Sequence, residues 1–332
     1  MKLIGMKSIL NEEIQMRQFK QTVFIALALV LSFVASGCGN TAPATLAEPP
    51  AAPAPTATEI TEVEVATEEG SVEDPEFALP DFAAASFSNP TNIDNKYFPM
   101  APGMHYVFEG VTEEGGRQIP HSIIFTVTDL TKEIMGVRTV VAYIVDYSDE
   151  KLVEAEIAFY AQADDGTVWF MGEHPEVYED GVMVEAPTWI PGLKGAQAGI
   201  VMKAQPELDV PSYAQGWGPA VNWTDRGRVV KMGEQTCVPV DCYQDVLVTE
   251  EFSQSEPDAF QVKYYAPNVG NVRVNWRGED ASHEELQLVE LVQLEAEALT
   301  EIRDAALALE THAYEISKEV YDQTKPSEYT AQ

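Results

Sequence analysis

Ser122-Ile-Ile-Phe-Thr-Val-Thr128 and Arg138-Thr-Val-Val-Ala-Tyr-Ile-Val145 decide the fold class. Both runs are built from β-branched and aromatic residues, which suit a pleated, packed surface and lose rotamer freedom in a helix. Working outward, Leu152–Ala161 and Thr167-Val-Trp-Phe-Met171 read as a second strand pair across the turn Asp164-Asp-Gly166. Arg228–Thr236 and Tyr243–Glu250 flank another turn, and Phe260–Tyr265 pairs with Asn271–Trp276 across Ala-Pro-Asn-Val-Gly. Glu284–Leu294 alternates charge with Leu or Val and ends the series. Short strands joined by tight turns predict an all-β, mainly antiparallel domain over 86–294. Periodicity leaves a curved sheet, a sandwich and a half-barrel open. The Gly- and Pro-rich Pro187–Pro211 reads as a long ordered loop crossing one end.

The period then changes. Residues 295–321 contain good helix formers and no Gly or Pro. Leu299, Ile302, Ala306, Leu309, Ala313, Ile316 and Val320 recur at alternating spacings, the heptad seam of a long C-terminal α-helix. Lys325-Pro326 ends it, leaving 322–332 as a tail. The seam can dock on the chain's own sheet, or it can pair with a second helix in self-association over 299–320.

At the other end, Arg17 and Lys20 precede the apolar run Thr22–Leu31, and Ala35-Ser-Gly-Cys38 follows. The run is too short for a transmembrane helix, which needs about 20 apolar residues. The pattern resembles the signal of bacterial lipoproteins. That resemblance implies removal of 1–37, acylation of Cys38 with palmitate-type chains, and a membrane partner reached through that anchor. Met16 gives a more compact charged start than Met1. Residues 38–85 are rich in Ala, Pro, Thr and Glu, and 39–85 lack Lys and Arg. Such a segment buries too little apolar surface to offset the entropy of ordering, so it reads as a disordered acidic stalk.

The chain carries 20 basic and 54 acidic residues, a net charge of −34. This field opposes nucleic-acid binding. Cys237 and Cys242, separated by Val-Pro-Val-Asp, would face each other across a hairpin, and a disulfide fits them in an exported protein. Zinc does not, since no second Cys pair or close His pair accompanies them.

No catalytic constellation stands out. The five histidines lie at no metal-ligand spacing, and G-x-S-x-G is absent. Glu154 and Glu156 share one strand face, Asp164 and Asp165 follow in the turn, and Glu173 closes the next strand. These five acids suit calcium, which takes oxygen ligands, or else they form an ordinary polar outer face and turn. No other cofactor is indicated. Trp189, Trp217 and Trp223 fall in the Gly-rich region and are candidates for a ligand mouth.

Several strings carry a further resemblance: Phe87-Ser-Asn-Pro-Thr-Asn-Ile-Asp-Asn-Lys-Tyr-Phe-Pro-Met-Ala-Pro-Gly103, Tyr106-Val-Phe-Glu-Gly110, Phe159-Tyr-Ala-Gln162, Gly166-Thr-Val-Trp169 and Lys263-Tyr-Tyr-Ala-Pro-Asn-Val-Gly270. In order, they make the chain similar to a group of exported bacterial proteins without assigned activity. The resemblance implies an extracytoplasmic β-rich domain and transfers no functional residues. The cysteine turn departs from it. The expected function is a lipid-anchored envelope protein that binds or scaffolds an envelope protein or small ligand without catalysis. The alternatives are a carrier of an apolar ligand in a curved sheet, and an enzyme of unknown class, with or without calcium.

Overall fold

The computed structural model describes residues 78–256 and 258–329. The signal peptide, Cys38 and the stalk as far as residue 77 lie outside the described residues. The folded part begins ahead of residue 86: Phe82 meets Trp169 edge-on at 5.1 Å and packs beside Phe87.

The chain runs as an antiparallel meander. Strands β1 (Met104–Glu114), β2 (Arg117–Ile134), β3 (Val137–Ser148), β4 (Lys151–Gln162) and β5 (Val168–Glu179) each pair with the next. The short β6 (Val182–Glu185) extends the β5 hairpin, and β7 (Gln197–Met202) pairs with β5 further along. After β8 (Tyr213–Ala214) and β9 (Gly216–Trp217), the meander resumes with β10 (Asp225–Cys237), β11 (Cys242–Ser253), β12 (Ala259–Ala266), β13 (Gly270–Gly278) and β14 (Glu285–Gln293). β14 pairs with β1. The expected loop over Pro187–Pro211 therefore contains a strand, because Gln197–Met202 finds a partner in β5 that its Gly-rich flanks do not announce.

Closure comes from one five-residue segment. Tyr213 and Ala214 pair with β10, and Gly216 and Trp217 pair with β7. Gln215 lies between them, and its N–H donates to the Asp225 carbonyl at 2.8 Å. One stretch of backbone thus bridges both edges and curls the sheet into a nearly closed barrel. The approach is tight: a Cβ on Gly199 would lie 2.0 Å from the Gln215 carbonyl carbon, so glycine is required there.

Both faces of β3 and β4 are packed. Val140, Ala142, Ala158 and Tyr160 point into the barrel, whereas Val141, Ile157, Phe159 and Ala161 belong to an outer cluster. That explains why 138–145 reads as a continuous apolar run instead of alternating. The outer cluster is covered by α1 (Ala296–Ile316), which buries Ala306, Leu309 and Ala313. The expected single helix breaks at Ser317 and continues as a short turn, α2 (Lys318–Tyr321). Thr188 Oγ1 lies 2.8 Å from Ser317 Oγ and ties that break to the sheet. Part of the tail adds to the barrel, as β15 (Glu328–Tyr329) pairs with β2.

Residues 93–100 plug one end. Ile93, Tyr97 and Met100 join the interior core. The Asn95 amide donates to the carbonyls of Gly166 (2.9 Å) and Lys203 (3.2 Å), and Asn268 N–H reaches the Lys96 carbonyl. The long string 87–103 is thus a cap held by side-chain-to-backbone bonds, as its Asn and Asp content suggests.

At the barrel's turn near this end, Cys237 and Cys242 pair across β10 and β11 and form a disulfide with Cα atoms 4.0 Å apart.

The helix is pinned by a buried ion pair. The Lys132 side chain is 0% exposed, its Nζ lies 2.7 Å from Glu310 Oε1, and it donates to the Lys325 carbonyl at 2.6 Å. Removing one partner strands the other charge, which costs about 3–5 kcal/mol, whereas replacing both with packed apolar groups is close to neutral. Glu310→Leu is therefore expected to lower unfolding free energy by about that amount, and Lys132→Met with Glu310→Leu to restore most of it. Urea unfolding of the two variants checks this.

Candidate functional site: the barrel interior

The barrel is not filled. A cavity of about 660 Å³ lies inside it, within the ~300–1,000 Å³ range of small-molecule sites. Phe98, Pro99 and Met100 of the plug line one part, next to Phe125, Phe170 and Trp223. Further lining comes from Glu154, Glu156, Glu173, Asp225 and Glu251, and from Glu256 and Asp280 in the turns at the end away from the plug. Aromatic and acidic side chains therefore line the cavity together, with Tyr160 and Phe170 on the same two strands as Glu154, Glu156 and Glu173.

The aromatic part is a connected stack. Phe98 and Tyr160 rings lie 5.5 Å apart, Tyr160 and Phe170 stack at 5.0 Å, and Phe170 meets Trp223 edge-on at 5.5 Å. Trp189 is not at an exposed mouth, as its position in the Gly-rich segment suggested. It is 2% exposed, lies 4.8 Å from the Trp223 ring, and its Nε1 donates to Glu173 Oε1 at 2.9 Å. Trp223 is half-buried in the cavity wall. Trp217 lies on the bridging segment outside the cavity lining.

Glu154 and Glu156 do share a strand face, but it is the inner one and not a polar outer surface. Glu173 joins them through a bulge. Phe170 pairs with Tyr160 and Glu173 with Ala158, so two residues of β5 oppose only Phe159. The extra residue flips the side-chain alternation and turns Glu173 inward. Gly172 makes this possible. Its φ is 98°, and a Cβ there would sit 2.5 Å from the Trp189 carbonyl oxygen.

The other two acids are elsewhere. Asp164 accepts from the Ser88 N–H and hydroxyl, and Asp165 accepts from the Thr167 N–H at 2.8 Å. Both stabilise the β4–β5 turn, so the five sequence candidates do not converge. Among the described residues, no group of three or more His, Cys, Asp or Glu side chains has the arrangement to hold a metal ion.

Sequence reading missed Asp225, Glu251, Lys263, Gln215 and Tyr160 as cavity residues. Their inward direction depends on which face of each strand is inside. Lys263 Nζ lies 2.6 Å from Glu251, and the Tyr265 hydroxyl also donates to Glu251 at 3.1 Å. Glu284 accepts from His121 at 2.9 Å and from the Gln261 amide at 2.7 Å. Glu156 hydrogen-bonds Glu173. Among the described residues, the Glu154 and Asp225 carboxylates have no hydrogen-bond or ion-pair partner.

This imbalance shifts proton affinities. Burial pushes Glu154 up to about 7 and Asp225 up to about 6. Burial also raises Glu173 to about 8, against the lowering bond from Trp189, and holds Glu156 well above its ordinary value with the nearby Glu173 charge adding to the rise. Asp146, buried beside His121, rises to about 7.

A separate network lies outside the barrel under the helix. Glu176 accepts from His174 (3.3 Å), Tyr178 (2.5 Å) and His312 of α1 (2.6 Å). Burial alone would raise this carboxyl, but the three donors outweigh it and hold it at about 2. It fastens α1 to β5.

No family model matches the sequence, and no curated protein matches it. Two solved structures are similar to the chain. One, from Bacteroides fragilis, is provisionally described as an exported protein with a YmcC-like fold, at 14% identity and TM-score 0.36. The other, from Parabacteroides distasonis, is provisionally described as a lipoprotein, at 13% identity and TM-score 0.32. Each match covers 60% of this chain and 99% of the other. Likeness at this level carries no functional argument, which must come from the cavity itself.

The raised carboxyls fix the sign of pH dependence. Between their unfolded values near 4 and their folded values of about 6 to 8, the folded state holds more protons than the unfolded one. Stability therefore falls as pH rises through that window. His121, raised by its bond to Glu284 and the nearby Asp146 against the lowering effect of burial, acts in the same direction. The Glu176 contribution changes only below its unfolded value and leaves this window clear. Thermal melts are expected to show a higher Tm at pH 5 than at pH 8; a Tm that rises over this interval contradicts the assignment.

Proposed function

We propose that this protein is an extracytoplasmic carrier, tethered to a membrane through an acylated Cys38, that holds a small amphipathic molecule inside its barrel. The cavity is the observation that carries this reading. A space of about 660 Å³ remains among aromatic and acidic side chains, within the ~300–1,000 Å³ range of small-molecule sites. Export is supported by the lipoprotein-type signal preceding Cys38 and by the Cys237–Cys242 disulfide, a bond that persists in oxidising compartments. Among the described residues, no helix is long and apolar enough to cross a membrane. The acidic, Pro-rich stretch up to residue 77 serves as the stalk between anchor and barrel.

The reading contains no catalytic step. The buried acids sit beside aromatic rings that can bind and orient a molecule. The plug over residues 93–100 closes one end, so exchange takes place at the end bearing Glu256 and Asp280.

Native and denaturing mass spectra of the full chain, after incubation with an envelope lipid and metabolite extract, test the proposal. The expected result is one retained molecule of a few hundred daltons, lost on denaturation. A protein that retains nothing after such exposure overturns the carrier reading.

A further inference from the structure

We propose that the molecule held in the barrel is an organic cation: an amphiphile whose ammonium group is bound by Glu154, Glu156 and Glu173 while its apolar body lies along Phe98, Phe170 and Trp223. The inference rests on the carrier reading and names the chemistry of the occupant.

Charge is the first argument. The cavity's lysine, Lys263, is already matched by Glu251, and His121 is matched by Glu284. Among the described residues, Glu154, Glu156, Glu173 and Asp225 line the cavity without an ion-pair partner; the Lys263 charge acts on Glu156 and Asp225 from a greater distance. Carboxylates taken out of water without a counter-charge are strongly unfavourable unless they take up protons or meet a cation. An anionic ligand would add a like charge to this wall. A neutral one would leave these groups to take up protons instead.

An acidic wall alone would suit a water-filled interior equally well. A second observation points to a bound polar group. Gln215 is only 5% exposed, lines the cavity, and its carboxamide has no hydrogen-bond partner among the described residues. The Tyr160 hydroxyl, on a residue 7% exposed, is in the same position. Both polar groups border the cavity space, so their hydrogen-bonding capacity is open to an occupant. The amide oxygen of Gln215 and the oxygen of Tyr160 can each accept from an ammonium N–H. Carboxylates and neutral acceptors therefore face the same space.

The aromatic wall separates an organic cation from a metal ion. Metal ligands must converge on one point with oxygen or nitrogen donors, and no such group occurs among the described residues. Phe170 and Trp223 instead offer ring faces and edges 5.5 Å apart, next to Tyr160. Ammonium groups are attracted to such faces, and an attached alkyl or aryl body packs against them.

The test uses three probes with one tail and different heads: decylammonium, decanol and decanoate. Each is titrated into the full chain below its micelle concentration and followed by tryptophan fluorescence, with Trp189 and Trp223 as reporters. The same titrations use Glu154→Gln/Glu156→Gln. That change keeps volume, and the amide introduced at position 156 can still hydrogen-bond Glu173, so its thermal melt is expected to stay level or rise. Decylammonium is expected to bind the natural chain at least about tenfold more tightly than decanol, and to lose most of that margin in the variant. Decanoate is expected not to bind.

Equal binding of decanol and decylammonium would overturn the cation assignment while leaving the carrier reading intact. Tighter binding of decanoate would do the same. Decylammonium binding that is unchanged in the variant would place it on the acidic outer surface and overturn the proposal. Failure of all three probes to bind would overturn both readings.

Discussion

Everything in this structure depends on the backbone bridge at Tyr213–Trp217. Its first half is hydrogen-bonded to β10 and its second to β7, so a meander that would otherwise end in two open edges becomes a nearly closed barrel. Open edges invite pairing with other chains. Closing them also creates an inside. Residues on alternate positions of every strand are then committed to a shared interior, whatever their polarity. The carboxylates of β4 and β5 acquire their unusual environment from this geometry and not from any local motif.

The two faces of the sheet solve different problems. Outside, β2 to β5 are covered by α1, which needs small residues for close approach and uses Ala306 and Ala313. The buried Lys132–Glu310 pair and the carboxylate of Glu176, bonded by two histidines and a tyrosine, fix where the helix lies. The charged groups that fasten the helix, Lys132, Glu310, Glu176 and His312, are paired. Inside, among the described residues, the Glu154 and Asp225 carboxylates and the Gln215 carboxamide have no such partner. That charge imbalance is the main reason to read the interior as built for a partner; unbonded polar atoms, such as Trp169 Nε1 and the Tyr321 hydroxyl, are buried on the helix side as well.

Much of the fold is legible in the sequence. β3, β4, β12 and β13 follow from β-branched and aromatic runs, and the disulfide from its spacing across a short turn. The helix is legible from its heptad seam, although its break at Ser317 is not, because that break answers a hydrogen bond to Thr188 far away in sequence. Strands β7, β8 and β9 are too short or too Gly-rich to show a period, and they matter because of what they pair with. The site is legible only in part. Glu154 and Glu156 are visibly on one face, but which face is inside depends on closure. Straight alternation from Phe170 places Glu173 outside; the bulge at Gly172 reverses it. Asp164 and Asp165, next to these residues in sequence, belong to a turn instead. Trp189 looked like a mouth residue because glycines lie near it in sequence, yet it is distant glycines, Gly216 and Gly218, that let the backbone close over its ring. A Cβ on Gly216 would lie 2.5 Å from that ring.

The central claim is that closure leaves unpaired carboxylates in a partly desolvated interior. Carbon-13 NMR of the side-chain carboxyls in the full chain, assigned by single Glu→Gln replacements, measures this directly. The account predicts that Glu154 titrates with a midpoint of about 7 and that Glu156 and Glu173 also titrate well above the ordinary range. Midpoints near the ordinary glutamate value of about 4.3 would mean that these groups are open to water, and would contradict it.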